Sequence, residues 1–274
     1  MPRLRLYAGA GFFIQFTIKE SPMKTIVFSS IKGGTGKSSL CILTANYASA
    51  AGYHVLVADM DIQNSASSYY LDSPEEADRK NIAAVFHTER LAENIIPTNH
   101  LNIDLLASSL DLVKFRAVGD RSLKRIFEAS SLPYDFLVID TAPTYDNIVL
   151  NALNAADLII TPVAFSQFDY KGALFYEAQL QRETEKLTAW RILFNFHRPP
   201  RTENPDALLN QYEALFRDVF DDHILPNSIP ATSMIRRSID TGERITRSTC
   251  KAPLHDAISK LAAYCGIERT TERF

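Results

Sequence analysis

The run Ile31-Lys32-Gly33-Gly34-Thr35-Gly36-Lys37-Ser38-Ser39 decides the fold. Just before it, Thr25-Ile26-Val27-Phe28 reads as a short buried strand, and just after it Leu40 to Ala48 reads as a helix. A glycine loop between strand and helix turns successive N–H groups toward an anion and adds the positive end of the helix. Gly33, Gly34 and Gly36 supply the backbone freedom, with Thr35 between them. Lys37 is placed to reach the β and γ phosphates of a nucleotide, the Ser38 hydroxyl to ligate a bridging Mg2+, and Ser39 to back up the phosphate contacts.

The usual phosphate-loop pattern, G-x-x-x-x-G-K-[ST], asks for glycine where this chain has Ile31, and the chain adds a lysine at position 32. The resulting K-G-G-x-G-K-[ST] resembles the deviant Walker A loop of the ParA/MinD family of P-loop ATPases. The resemblance implies that Lys32 reaches across a dimer interface to the partner's nucleotide, stabilising charge on the phosphates much as an arginine finger does.

Two further strands end in carboxylates. Val55-Leu56-Val57-Ala58-Asp59-Met60-Asp61-Ile62-Gln63-Asn64 delivers two aspartates that alternation puts on one side of the strand. In open parallel α/β sheets ligands gather beyond the carboxyl ends of the strands, where both fall. The stretch resembles the family's D-x-D-P-Q segment with Ile62 in place of proline. By that match Asp61 orients or deprotonates the attacking water and Asp59 supports the metal shell. Tyr134 to Asp140, followed by Thr141-Ala142-Pro143, is a Walker B pattern in which Asp140 would hold Mg2+ through a water, since Mg2+ dehydrates reluctantly.

The chain has 274 residues, 46% hydrophobic and 22% charged, enough for one large α/β core. Apolar strands at 25–30, 55–59, 102–107, 134–140, 157–162 and 190–195 alternate with helical patterns at 36–51, 109–130, 145–155, 166–187 and 204–220. That rhythm predicts a three-layer α/β/α domain, a mostly parallel twisted sheet wrapped by helices. A formal net charge of −3 gives no global pull toward nucleic acid or anionic membrane. The three cysteines, Cys41, Cys250 and Cys265, lack paired spacing, which argues against the cluster-bridged branch of the superfamily and fits a reduced, cytoplasmic protein. The six histidines, His54, His87, His100, His197, His223 and His255, show no metal-ligand spacing and are assigned ordinary surface or core places.

Residues 1–22 carry Arg3, Arg5 and an apolar run that faintly resembles a secretory signal. Exporting an ATP-binding protein would strand it from its nucleotide, so Met23 is read as the working start and 1–22 as an extension outside the core. The domain then covers 23–266, with 267–274 as a tail.

In the back half, the resemblance places an adenine contact at Asn195, ending a strand, and a base-closing loop at the Ile-Pro pair containing Pro230. From Ile235 to Lys251 the chain carries Arg236, Arg237, Arg244, Arg247 and Lys251 against two acidic residues, its densest positive stretch. Such a cluster gives salt-sensitive, sequence-independent DNA binding. In ParA-type proteins basic residues of this region form a DNA track only when two ATP-bound subunits join. No helix-turn-helix pattern precedes the phosphate loop, so operator binding is not expected. The terminal helix around Leu254 to Tyr264 lacks the basic amphipathic character of MinD's membrane anchor.

The expectation is a short ParA-like ATPase: ATP and Mg2+ drive a homodimer, the dimer binds non-specific DNA, and a ParB-like centromere-binding protein stimulates the hydrolysis that releases it. No stable membrane association is expected, and the ATP state would sit on the nucleoid. The alternative is a MinD-like positioning ATPase for a membrane or envelope assembly.

Overall fold

The computed structural model describes residues 4–5, 16–17, 23–198, 208–242, 245 and 251–268. A short antiparallel pair, β1 (Leu4–Arg5) and β2 (Phe16–Thr17), precedes the main body. Then follow β3 (Lys24–Phe28), α1 (Lys37–Ala50), β4 (Val55–Met60), and three short helices, α2 (Ser65–Tyr70), α3 (Glu75–Arg79) and α4 (Ile82–Thr88). Next come β5 (Ile96–Pro97), β6 (Ile103–Leu106), α5 (Ser122–Ala129), β7 (Phe136–Thr141), α6 (Asn147–Ala155), β8 (Leu158–Val163) and α7 (Gln167–Glu183). The chain closes with β9 (Trp190–His197), α8 (Leu208–Phe220), β10 (Ile224–Pro230), α9 (Ser233–Thr241) and α10 (Ala252–Tyr264).

The eight-stranded sheet has the order β10-β9-β8-β3-β7-β4-β6-β5. Every pairing is parallel except β5 with β6 at the edge, where Pro97 has no N–H to give. Strands β4, β7 and β8 are buried at every position because helices cover both faces. Alternation divides their side chains between two apolar layers. Val27, Leu137 and Ile139 pack toward α4 to α8, with Ile82, Ile148, Tyr176 and Phe216. Ile26, Phe28 and Val138 pack toward α1 and α10, with Leu40, Ile42, Ile258 and Leu261. The expected three-layer α/β class is the one observed.

One expected helix is two pieces. Over 109–130 the chain forms a 3₁₀ segment, Leu110–Phe115, and then α5. Between them α6 presents a ladder of asparagine amides: Asn147 donates to the Val118 carbonyl at 3.1 Å, Asn151 to Gly119 at 2.9 Å and Asn154 to Asp120 at 3.0 Å. Carbonyls so engaged keep the turn open where a helix would have closed. The three short helices α2 to α4 were not legible as periodic segments, being too short to show a repeat. Cys41 and Cys265 are buried free thiols, and Cys250 lies outside the described residues.

Candidate nucleotide site

Between β3 and α1 the loop Ser29–Gly36 turns the chain at the carboxyl end of the sheet. Gly34 and Gly36 have φ of 75° and 95°, a left-handed conformation strained for any residue with a Cβ. At Gly36 a Cβ is excluded a second way, because it would run into the Asn195 amide. Gly36 is the N-cap of α1 and offers that helix no side-chain acceptor, so its first N–H groups are available to an anion.

The hollow of the loop is filled by the loop's own groups. The Ser30 hydroxyl donates to the Lys32 carbonyl at 3.0 Å and lies 2.9 Å from the Thr35 hydroxyl. The Lys37 ammonium donates to Ser30 Oγ at 3.3 Å and to the Lys32 carbonyl at 3.2 Å. Lys37 is buried, and desolvation lowers its pKa, opposed by the charges of Asp140 and Asp61. Ser38 and Ser39 follow in the first turn of α1, half-buried, while Gly33 and Gly34 are exposed.

Beneath the loop, Asp59 and Asp140 are register partners on β4 and β7. Asp140 is fully buried and neither of its oxygens has a hydrogen-bond partner. Burial pushes its pKa well above the usual carboxylate range and the Asp59 charge adds to this, while the Ser38 hydroxyl and Lys37 nearby pull it down. A buried carboxylate without donors suits a cation that brings its own charge and bound water. The donor set therefore fits Mg2+ held between Ser38, Asp140 and phosphate oxygens. Among the described residues no group of three His, Cys, Asp or Glu side chains is arranged to hold a metal alone.

Asp59, expected to support the metal shell, is engaged by the chain's own donors. Its Oδ2 accepts from the Ser67 N–H at 2.7 Å and the Ser67 hydroxyl at 2.8 Å, and its Oδ1 accepts from the Asp61 N–H at 3.1 Å. The carboxylate thus ties the turn after β4 to the start of α2. Asp61 accepts from the Gln63 N–H at 3.0 Å, and its carbonyl accepts from the Ser108 hydroxyl at 2.6 Å. The whole 59–67 turn is held from below.

Burial holds the Asp59 carboxyl up at about 6, against the Ser67 bonds that would lower it. A folded value above the ordinary 3.8 means that the folded chain binds more protons than the unfolded one across that interval. Stability of the nucleotide-free protein is therefore expected to fall as pH rises from about 4 through about 6, with Asp140 acting in the same direction. Thermal melts at pH 5.5 and pH 8 measure this. Asp140→Asn, which removes a buried charge that Ser38 and Lys37 offset only in part, is expected to raise the pH 8 melting temperature by a few degrees and flatten the profile. An unchanged pH 8 melt in that variant would contradict the buried-charge account.

Lys32, expected to act on a partner's nucleotide, is held within its own chain here. Its ammonium lies 2.7 Å from Asp169 Oδ2 and donates to the Ser166 hydroxyl at 3.0 Å. Ser166 and Asp169 form the capping box that starts α7. The sequence reading missed both, although Ser166-Gln167-Phe168-Asp169 carries the S-x-x-D signature.

Asn195 ends β9 against the phosphate loop. Its buried amide donates to the Thr35 carbonyl at 2.7 Å and its oxygen accepts from the Phe196 N–H, so it braces that loop. The space beyond belongs to its neighbours. A cavity of about 490 Å³ opens between the ends of β9 and β10 and α8, lined by Phe165, Phe196, His197, Glu213, Thr232 and Ser233 among others. Phe165 and Phe196 have φ of 36° and 55°, costly for bulky side chains and found where a site over-determines the backbone. Pro230 ends β10 opposite His197, and the cavity wall begins just after it, at Ala231. His197 is fixed in the cavity wall: Nε2 is 3.2 Å from Glu213 Oε2 and Nδ1 is 3.3 Å from the Ser228 hydroxyl.

Of the basic stretch, α9 buries Ile235 and Ser238 and turns Arg236 and Arg237 outward, the former 3.6 Å from Asp240. Lys251 is exposed before α10, and Arg244 and Arg247 lie outside the described residues. Because α9 starts at Ser233 in the cavity wall, Arg236 and Arg237 follow it by about one helical turn.

A family model for an AAA domain (AAA_31) matches residues 23–188. The putative replication protein A of Rhizobium rhizogenes is 28% identical over 228 residues, 74% of this chain but only 56% of that longer protein. The chromosome-partitioning ATPase Soj of Treponema pallidum is 28% identical over 216 residues, 75% of this chain and 84% of its own. Among solved structures, a putative plasmid partition protein from Borrelia burgdorferi bound to AMPPNP superposes with a TM-score of 0.72 at 24% identity, over 89% of this chain and 99% of that one. No described helix is long and apolar enough to cross a membrane.

Proposed function

Because this chain belongs to the ParA/MinD family of P-loop ATPases, on its ParA-type side, we propose that it is a DNA-partition ATPase switched by its nucleotide state. Membership of the family makes the protein a ParA-type partition or positioning ATPase. The observation that carries it is the juxtaposition of a glycine loop, Lys37 and an unpartnered buried Asp140 at the head of α1.

ATP would lay its phosphates along the N–H groups of Gly33 to Ser39, drawing the Lys37 ammonium out of the loop hollow. Ser38 and Asp140 would hold Mg2+, which when bound neutralises phosphate charge and orients the γ-phosphate. The base would enter the cavity beside Phe196, with Thr232 and Ser233 on its wall. Asp61, fixed by its ties to Gln63 and Ser108, would position the attacking water. Lys32 would complete the phosphate site of a second subunit. The working domain in this reading begins at 23, after an extension over 1–22, and runs one residue beyond the expected 266, because Ile267 is buried in the core and its N–H is bound by the Ala262 carbonyl.

The step from nucleotide to DNA would run through α9. Its first residue borders the base cavity and its outward arginines would join Lys251, Arg244 and Arg247 as a phosphate-binding surface doubled by dimerisation. A ParB-like centromere-binding protein would then speed hydrolysis and release the dimer from the nucleoid.

Binding to a non-specific duplex with ATP, with ADP and without nucleotide, at two salt concentrations, tests this directly. Binding is expected only with ATP, and to weaken steeply with salt. The double variant Arg236→Ala, Arg237→Ala removes four cations per dimer and is expected to weaken binding at least tenfold and flatten the salt slope by about 2–4. Absence of DNA binding in every nucleotide state would reject the partition reading and leave a positioning ATPase that works on another surface.

A further inference from the structure

The backbone of Asp61 is held in a closed ring of hydrogen bonds. Its N–H donates to Asp59 Oδ1 at 3.1 Å, and Asp59 Oδ2 accepts from the Ser67 hydroxyl at 2.8 Å. Ser67 Oγ accepts from the Ser108 N–H at 2.8 Å, and the Ser108 hydroxyl donates to the Asp61 carbonyl at 2.6 Å, which closes the ring. All four residues are buried. Asp59, Asp61 and Ser67 belong to the end of β4 and the turn after it, so Ser108 is the member that ties this turn to a different strand.

The end of the sheet ladder explains the arrangement. β4 and β6 pair from Val55 with Ile103 to Ala58 with Leu106, and there the pairing stops, while β4 runs on beside β7 as far as Met60. Ser108, two residues past the last pair, puts one N–H and one O–H where ladder bonds are missing. It is itself well fixed: Leu106 and Ala107 before it and Leu112 after it are fully buried, and the Ala107 carbonyl accepts from the Ile82 N–H at 2.9 Å. The Asp61 carbonyl also accepts from the Asn64 N–H at 2.9 Å, so the turn closes without Ser108. What the hydroxyl adds is the position of that turn against the sheet. The Asp61 side chain is short and its Oδ1 is bound by the Gln63 N–H of the same turn, so a turn that shifts carries the carboxylate with it.

We propose that Ser108 is a positioning residue for hydrolysis: by holding the Asp61 carbonyl it fixes where the Asp61 carboxylate stands relative to the phosphate site. The inference rests on the reading that Asp61 positions the attacking water. Misplacing a reacting group by about 1 Å costs about a hundredfold in rate, so a ring that removes a fraction of that freedom is felt in turnover.

The test is a double-variant cycle on the full chain, with single-turnover phosphate release from ATP and Mg2+ measured for wild type, Ser108→Ala, Asp61→Ala and the two together. Ser108→Ala removes one neutral hydrogen bond and is expected to slow turnover about tenfold, with affinity for a non-hydrolysable ATP analogue kept. In the Asp61→Ala background, where no carboxylate is left to place, it is expected to slow turnover no further. Unchanged turnover in Ser108→Ala, an equal loss in both backgrounds, or a loss of analogue affinity alongside turnover would overturn the proposal. An Asp61→Ala variant that turns over like wild type would instead sink the reading of Asp61 on which the proposal rests. Ser108→Thr and Ser108→Val, close in shape and differing in the hydroxyl, form a separate arm. The threonine variant is expected to turn over about tenfold faster than the valine one, and equal rates would overturn the proposal even if Ser108→Ala failed to fold.

Discussion

Lys37→Ala is expected to weaken binding of a non-hydrolysable ATP analogue by about a hundredfold to a thousandfold, measured by calorimetry with Mg2+. Lys37 is buried, and its ammonium donates to the Lys32 carbonyl and the Ser30 hydroxyl of the loop. Desolvation lowers its pKa, with Asp140 and Asp61 opposing. A cation already stripped of water loses little more when phosphates replace its present partners. Charge-assisted hydrogen bonds are worth about 1.5–3 kcal/mol each, and two such bonds to phosphate oxygens account for the expected loss. Removing the ammonium would also leave the Asp140 carboxylate without a nearby cation, and Mg2+ would supply part of that charge, so nucleotide with chelator should suffer more than Mg2+ nucleotide. Affinity within threefold of wild type would show that the loop does not hold phosphates through this lysine.

Asp61→Ala is expected to lower ATP turnover by roughly a hundredfold to ten-thousandfold, the usual range for removing a general base or water-orienting group, while analogue binding and dimerisation stay near wild type. The distinction is physical. What Asp61 gives the fold is mostly backbone: its carbonyl receives the Ser108 hydroxyl at 2.6 Å, and its N–H is bound by Asp59 at 3.1 Å. Alanine preserves both. The side chain contributes one bond to the Gln63 N–H at 3.0 Å, so its loss trims the turn without releasing it from Asp59 and Ser67. Single-turnover phosphate release, alongside sedimentation with the analogue, separates chemistry from assembly. Unchanged turnover would remove Asp61 from the chemistry, and failed nucleotide binding would make it a structural residue instead.

Much of this architecture was legible because it depends on local pattern. Apolar runs ending in Asp59 and Asp140 could only be strands delivering carboxylates to one edge, since alternation along a strand assigns faces without reference to the rest of the chain. The parallel sheet followed from strands alternating with helical periods. Where the pattern was longer than the element, the reading failed: the stretch 109–130 has helical periodicity, yet asparagines of α6 take the carbonyls at 118–120. Those amides come from a later segment, and nothing in the stretch itself announces them.

The site divides the same way. The loop glycines, Lys37, Ser38, Asp61 and Asp140 stand in short motifs whose spacing is set by covalent geometry, and the sequence alone determined their identity and order. Three assignments depended on which distant group reached each side chain first. Asn195 ends a strand next to the loop, and its amide satisfies the Thr35 carbonyl; Asp59 is claimed by Ser67; Lys32 is claimed by Asp169. Each pair joins residues far apart in the chain or across a turn, and each forms because a buried polar group takes the nearest partner that packing offers. That choice is made in three dimensions, after the strands are aligned, so only the tertiary structure decided it.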